Sequence, residues 1–390
     1  MFRRQSIIFL SLLLALWVAD LVRGSSGESD SFTLPVKHWS ELEESTGLDD
    51  RNSDRRALLD DRDNVKIGSD PDPLVELLMS QVISSTVADY NGALSGERPV
   101  IFAGQPYTIE TRYTYSGEPI QVATQYVGQH LEDLGLSVEF HVWDGETYPN
   151  VIGQLTGETF PDDIMMITAH LDSTSRSPMT YAPGADDNAS GSTAVLIAAD
   201  IFSQYEWDCT LRFALWTGEE FRLQGSRAYA ERAFEEGERI RGVLNLDMIG
   251  WNTAGSEPGI DLYSKRSIPG SVPLALTFSK VINDHDLGLD PELFHAGNAS
   301  SDQASFWEQG FPAMLAIEDR RDFNPYYHST NDLLSNLDID YFTEFVRAAV
   351  GTFALMADCG NFPQIPAFYL PVAMMGDSAL GLDQSISSSP

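Results

Sequence analysis

Cysteine is nearly missing from this chain: Cys209 and Cys359 are the two in 390 residues. Neither lies in a C-x-x-C pair, which removes thiol redox chemistry from the candidates. The two can pair outside a reducing compartment or remain buried thiols, and the sequence leaves both open. Basic residues are scarce as well. Lys and Arg number 24 against 58 Asp and Glu, a formal net charge of −34 with His neutral. Such a surface repels nucleic acid and anionic membranes, and no Lys/Arg stripe offsets it, so no nucleic-acid partner is expected. The acidity reads as a solubility feature of a secreted or salt-exposed protein. Internal repeats are lacking, and long apolar runs are confined to one place.

That place is the N-terminus. A basic start, "MFRRQ", precedes the apolar "SIIFLSLLLALWVA" and then small residues in "LVRGSS". The order is that of a secretory signal peptide, residues 1–24, cut after Gly24. The run is shorter than the roughly 20 residues of a spanning helix. The expected product is secreted, extracellular or periplasmic, without stable membrane association. Residues 25–72 are polar and charged, as in "ELEESTGLDDRNSDRRALLDDRDN". They form a linker or a removable prosegment.

What is present begins at about residue 73. Hydrophobic content of 43% with 11% aromatics supplies a sizeable core. "IQVATQYVGQHLEDLG" has helical spacing and ends on glycine. Strand and helix signals then alternate. "DIMMITAHL", "CTLRFALW", "RIRGVLNLDMIG" and "FPAMLAIED" read as strands. "GSTAVLIAADIFSQY", "GSRAYAERAFEEG", "SVPLALTFSKVINDH" and "DYFTEFVRAAVGTFALMAD" read as helices. Such alternation indicates an α/β sandwich with a mixed, largely parallel central sheet flanked by helices, over residues 73–360. Residues 361–390 are a C-terminal tail.

Polar residues collect at the strand ends. One strand delivers His170 and Asp172, and the glycine-rich turn after it holds Asp186 and Asp187. The next delivers Glu219 and Glu220, the third Asp247. The loop "FNPYYHSTND" after the fourth holds Tyr327, His328 and Asp332. In open α/β sheets ligands bind outside the carboxyl ends of the strands. Taken singly, each group has a plain explanation: helix-dipole acids for Gly-Glu-Glu, turn chemistry for Asp-Asp-Asn. Four on successive α/β units do not. Histidine and carboxylate ligands without cysteine suit zinc or another first-row divalent ion. Two such ions are neutralised by three carboxylates and a hydroxide, which permits burial in a cleft. A metal pair bridged by a carboxylate and hydroxide is a hydrolytic device.

The motifs "AHLDST", "APGADDNASG", "GEE", "LQGS", "LNLDMIGWN", "SDQASFW", "GFPA" and "FNPYYHSTNDLLSNLD" resemble the secreted bacterial double-zinc aminopeptidases of the leucyl aminopeptidase type. Wider relatives of that family are glutamate carboxypeptidases and glutaminyl cyclases. The resemblance runs in order over residues 73–360. It implies the three-layer zinc exopeptidase fold and two Zn2+ per chain. Asp187 would bridge the ions. His170 and Asp247 would complete one site, Glu220 and His328 the other. Glu219 would be the general base and Tyr327 an oxyanion donor. Asp172 would hold the other ring nitrogen of His170, and Asp332 would orient the second site. The Asp186–Asp187 peptide would be cis.

The chain departs from the pattern at Ser301-Asp302-Gln303, where many members have histidine third. A short cysteine pair of one branch is missing. His130, His285 and His295 match nothing catalytic and read as structural or surface residues. Of two sequons, that at Asn188 lies inside the proposed metal loop and is implausible as a glycan site; Asn298 remains open. The function implied is removal of N-terminal residues from free-amine peptides by metal-activated hydroxide, with a monomer as the default state. A carboxypeptidase or dipeptidase on the same fold is the alternative. A one-zinc glutaminyl cyclase is less consistent with five ligands, and a non-catalytic binding domain with a retained base.

Overall fold

A computed structural model describes residues 72–360, Gly145 excepted. The expected signal peptide, most of the expected linker and the C-terminal tail lie outside the described residues. The first helix, α1, is Pro73–Met79, with Asp72 capping it through Leu74 N–H. Helix α2 (Ser84–Leu94) and the small hairpin β1 (Val100–Phe102) and β2 (Gln105–Tyr107) follow. The body then runs α3 (Glu118–Asp133), β3 (Ser137–His141), β4 (Asn150–Leu155), β5 (Phe160–His170), α4 (Ala189–Phe202), β6 (Cys209–Trp216), α5 (Gln224–Glu235) and β7 (Arg239–Leu246). After these come β8 (Gly259–Tyr263), α6 (Ser271–Asp284), β9 (Asp290–Phe294), α7 (Gln303–Glu308), β10 (Ala313–Glu318) and α8 (Ile339–Ala357).

Eight strands form one sheet in the order β3-β4-β6-β5-β7-β10-β8-β9. The pairs β6–β5, β5–β7, β7–β10 and β8–β9 are parallel; β3–β4, β4–β6 and β10–β8 are antiparallel. The expected mixed, largely parallel sheet is therefore present. Its central strands are apolar on both sides, as strands covered by helices on both faces must be. In β5, Met165, Ile167 and Ala169 join one buried cluster, with residues of α3, α4, α6 and α8. Ile164 and Met166 join the other, with α5 and α7. The period of two thus sends alternate side chains into two cores, one per helical layer. Each buried Leu, Ile or Phe contributes about 1.5–3 kcal/mol.

Helix α4 shows how sequence sets a boundary here. Thirteen of its fourteen residues are buried, so it has no solvent face and packs as a core helix. The sequence places the start after the Gly191-Ser192 turn. The helix starts at Ala189 instead, because the Asn188 side chain accepts from Gly191 N–H at 2.8 Å and caps it. The cysteine alternatives are also resolved: Cys209, the first residue of β6, and Cys359, just past α8, form a disulfide with Cα atoms 5.9 Å apart.

Candidate metal centre

Strands β6, β5, β7 and β10 are consecutive and mutually parallel, so their carboxyl ends share one edge. His170 ends β5; Asp247 follows β7; Thr217-Gly218-Glu219-Glu220 follows β6. The loop after β10 returns His328 to the same edge. His328 adopts φ of +52°, a left-handed conformation uncommon for a non-glycine residue and frequent at functional sites.

Two groups of ligand-type atoms result. His170, Glu219 and Asp247 form one; Asp187, Glu220 and His328 form the other; within each, one donor atom per residue lies within 4.8 Å of the rest. Asp187 belongs to both in space. Its Oδ1 is 3.2 Å from His170 Nε2, and its Oδ2 is 3.1 Å from His328 Nε2. His170 Nε2 is also 3.3 Å from Asp247 Oδ1, and His328 Nε2 is 3.0 Å from Glu220 Oε2. Glu219 Oε2 stands further off, 4.0 Å from His170 Nε2.

The donor set fits divalent metal. It is two imidazoles and four carboxylates, without thiol, all buried or half-buried. Glu220 Oε1 is buried without a hydrogen-bond partner among the described residues. Both rings are drawn towards their charged forms. Burial opposes this at His170, but Asp247 and Glu219 outweigh it; at His328 Glu220 and Asp187 outweigh burial and push the ring up to about 11. The same negative field favours a bound cation, and it is that cation that would leave the rings neutral as ligands. Burial alone would raise Asp187, yet its contacts with the two histidines hold it well below the usual carboxylate range. Glu220 is pushed up to about 7 by burial despite His328. Burial likewise lifts Glu219 well above an ordinary glutamate.

Around these atoms the backbone is tightly held. Asp332 accepts from Asp186 N–H at 2.9 Å and Asp187 N–H at 3.0 Å, one with each carboxylate oxygen. It therefore orients the Asp187 turn rather than the His328 ring. Asp186 accepts from Gly250 N–H and Asn324 Nδ2. The cis peptide is Asp187–Asn188, one bond later than the resemblance implies. Both amides that face Asp332 precede it. Beyond it the Asn188 side chain bonds Leu246 O, Gly191 N–H and Met248 N–H, tying the turn to β7 and α4. Asn188 is fully buried, so its sequon is closed to a glycan. Gly184 opens the turn with φ of +51°, and a Cβ there would lie 2.2 Å from Asp187 O, so no other residue fits.

His170 Nδ1 is 3.0 Å from the backbone carbonyl of Asp172 and 3.7 Å from its carboxylate Oδ1. The carboxylate instead accepts from Thr114 Oγ1 at 2.7 Å and from Glu219 N–H at 3.2 Å. Asp172 thus positions the Glu219 turn, and its main chain orients the His170 ring. Tyr327 stacks on His328, with ring centroids 3.7 Å apart. Burial, with Asp187 and Glu220 nearby, raises its phenol well above 10, so it stays a donor at neutral pH.

The sequence does not reveal Arg112. It is completely buried behind the centre. Its guanidinium donates to the carbonyls of Leu171, Leu94, Pro183 and Gly184 at 2.6–2.8 Å. Burial lowers it to about 10, while Asp332, Asp187, Asp172 and Glu220 pull the other way. A single arginine in "IETRYTYSG" carries no signal of this, since its four partners come from three separate segments. At the departure from the family pattern, Gln303 Oε1 accepts from Asn245 and its Nε2 donates to Asn298 O, behind β7 rather than at the ligand atoms. His130 pairs with Asp200 at 2.9 Å and His295 with Ser264 at 2.6 Å, both away from the centre.

Solved structures share this architecture. The Legionella pneumophila LapA aminopeptidase aligns with a TM-score of 0.61 at 20% identity, covering 73% of each chain. The aminopeptidase of Aneurinibacillus sp. strain AM-1 aligns at 0.55 and 18%, over 73% of this chain and 96% of that one. A glutaminyl cyclase from Bacteroides thetaiotaomicron aligns at 0.54 and 14%, over 70% and 97%. These likenesses establish the zinc-exopeptidase fold and nothing finer. In sequence, leucine aminopeptidase 1 of Trichophyton equinum is 34% identical over 199 residues, 48% of this chain and 53% of the relative. A probable leucine aminopeptidase of Arthroderma otae is 30% identical over 266 residues, 64% and 69%. The chain spans about half the length of the Trichophyton relative. The profile of peptidase family M28 matches residues 150–352, just over half of the chain. The chain belongs to peptidase family M28.

Proposed function

We propose that this protein is a secreted, zinc-dependent aminopeptidase that removes N-terminal residues from peptides with a free amine. The observation that carries the proposal is Asp187, whose two oxygens face His170 and His328 at 3.2 and 3.1 Å. A carboxylate so placed is suited to bridge two ions. His170 and Asp247 would hold one, Glu220 and His328 the other. When bound, the ions supply Lewis-acid polarisation of the scissile carbonyl and a more acidic water. Glu219, held by its own N–H on Asp172, takes a proton from the attacking water and delivers it to the leaving amine. Its raised pKa suits a group that must both accept and return a proton near neutral pH. Tyr327 presents its hydroxyl to the developing oxyanion.

Two features support secretion: the signal-like N-terminus, and the Cys209–Cys359 disulfide, a bond typical of oxidising compartments. Among the described residues no helix is long and apolar enough to cross a membrane. Hydrolysis of leucine p-nitroanilide, measured with and without a chelator, tests the activity. Chelator-sensitive cleavage that disappears on N-acetylation is the expected result. Cleavage that persists on acetylated peptides, or release of C-terminal residues, would assign the site to a carboxypeptidase or dipeptidase instead.

A further inference from the structure

Beside the Glu219–Glu220 turn lies a run of aromatic rings that the proposed chemistry does not use. Tyr113 and Tyr115 contact Phe221 with ring centroids 5.4 and 4.7 Å apart, and each other at 6.1 Å. Tyr115 meets Tyr148 at 5.3 Å, and Tyr148 meets Trp143 at 5.4 Å. All five are partly exposed, Tyr115 by 37%. A contiguous exposed aromatic surface is costly in water unless it has an occupant.

The rings are built onto the site. Thr114, between the two tyrosines, donates to the same Asp172 carboxylate that holds Glu219 N–H. Phe221 directly follows Glu220. Trp143 donates from Nε1 to Thr217 Oγ1 at 2.9 Å and packs on Gly218, where a Cβ would lie 2.6 Å from its ring. The cluster is therefore fixed relative to the candidate base while its outer rim faces solvent.

We infer that this shelf, Tyr113, Tyr115 and Phe221 backed by Tyr148 and Trp143, binds the leaving portion of the peptide and favours an aromatic or large apolar side chain there. The inference rests on the aminopeptidase function proposed above. An N-terminal residue needs a bounded pocket, because the chain ends with it. The leaving portion has no fixed length and needs a surface that opens outward. The shelf is open, and it borders Glu219, the group that protonates the leaving amine. Ring-on-ring contact is worth enough to be read in kinetics, about threefold to tenfold in kcat/KM.

The test compares leucinamide, Leu-Gly-Gly and Leu-Phe-Gly on the full-length enzyme. Wild type is expected to prefer Leu-Phe-Gly over Leu-Gly-Gly. Tyr115→Ala should shrink that preference at least about threefold, chiefly through KM, and Tyr115→Phe should restore it. Equal losses on all three substrates would overturn the shelf, since they would mean the ring merely supports the site. An unmoved Phe/Gly ratio would also overturn it. Wild-type enzyme that leaves all three intact would contradict the aminopeptidase function and the shelf with it, whereas activity with an unmoved ratio contradicts the shelf alone.

Discussion

Glu219 and Glu220 are neighbours with different surroundings. Glu220 touches His328 at 3.0 Å, while Glu219 stands 4.0 Å from His170 with its amide tied to Asp172. Replacing Glu219 by Gln keeps shape and removes the proposed proton acceptor. Turnover should fall about 10²–10⁴-fold while bound metal is retained. Equal metal loss would place Glu219 among the ligands instead of beside them; kinetics with elemental analysis separate the two. Arg112→Met has the opposite character. It leaves the carbonyls of Leu94, Leu171, Pro183 and Gly184 without their donor and removes positive charge from behind four carboxylates. Stability should drop by about 3–5 kcal/mol in urea unfolding. The ligand-type residues are legible in the sequence because each sits at a strand end or in the loop that follows one, inside a local motif. Arg112 and Thr114 are not, because their meaning lies in contacts made across the chain. The cis bond lies one residue later than the resemblance implies.

The elements that carry the site were the easiest to read. Strands β5, β6, β7 and β10 are largely apolar on both faces, and α3, α5, α6 and α8 are long and periodic. The strands the sequence did not disclose are β3, β4, β8 and β9. β3 and β9 are five-residue edge strands with largely exposed or half-exposed side chains, so alternation is weak. β4 and β8 are short and contain or begin with glycine. The disulfide is an element-scale device as well. It joins the start of β6 to the end of α8 across a separation of 150 residues. Opening so long a loop should cost about 2–4 kcal/mol. Cys209→Ser with Cys359→Ser should therefore melt at a lower temperature than wild type, and wild type in reductant should match it. Identical melting in oxidised and reduced protein would contradict a stabilising role.

At the scale of the whole molecule, a chain carrying −34 in formal charge gathers several of its carboxylates at one buried edge. Only a strong compensating charge makes that arrangement favourable. Bound metal should therefore stabilise the fold. Chelation should lower the melting temperature, and zinc in hundredfold excess over its dissociation constant should return about 2.7 kcal/mol. The parallel centre of the sheet brings the four loops to one edge, and it follows from the α/β alternation; the aromatic shelf beside that edge does not, because Tyr113, Phe221 and the Trp143–Tyr148 pair come from three separate connections. The most direct measurement is elemental analysis of the purified protein, wild type beside Asp187→Ala. About two zinc ions per chain in wild type, and loss of both or all but one in the variant, is the predicted result. Wild-type protein that takes up no metal after zinc is added back, or an Asp187→Ala variant that holds the full wild-type complement, would contradict the bridged two-metal centre.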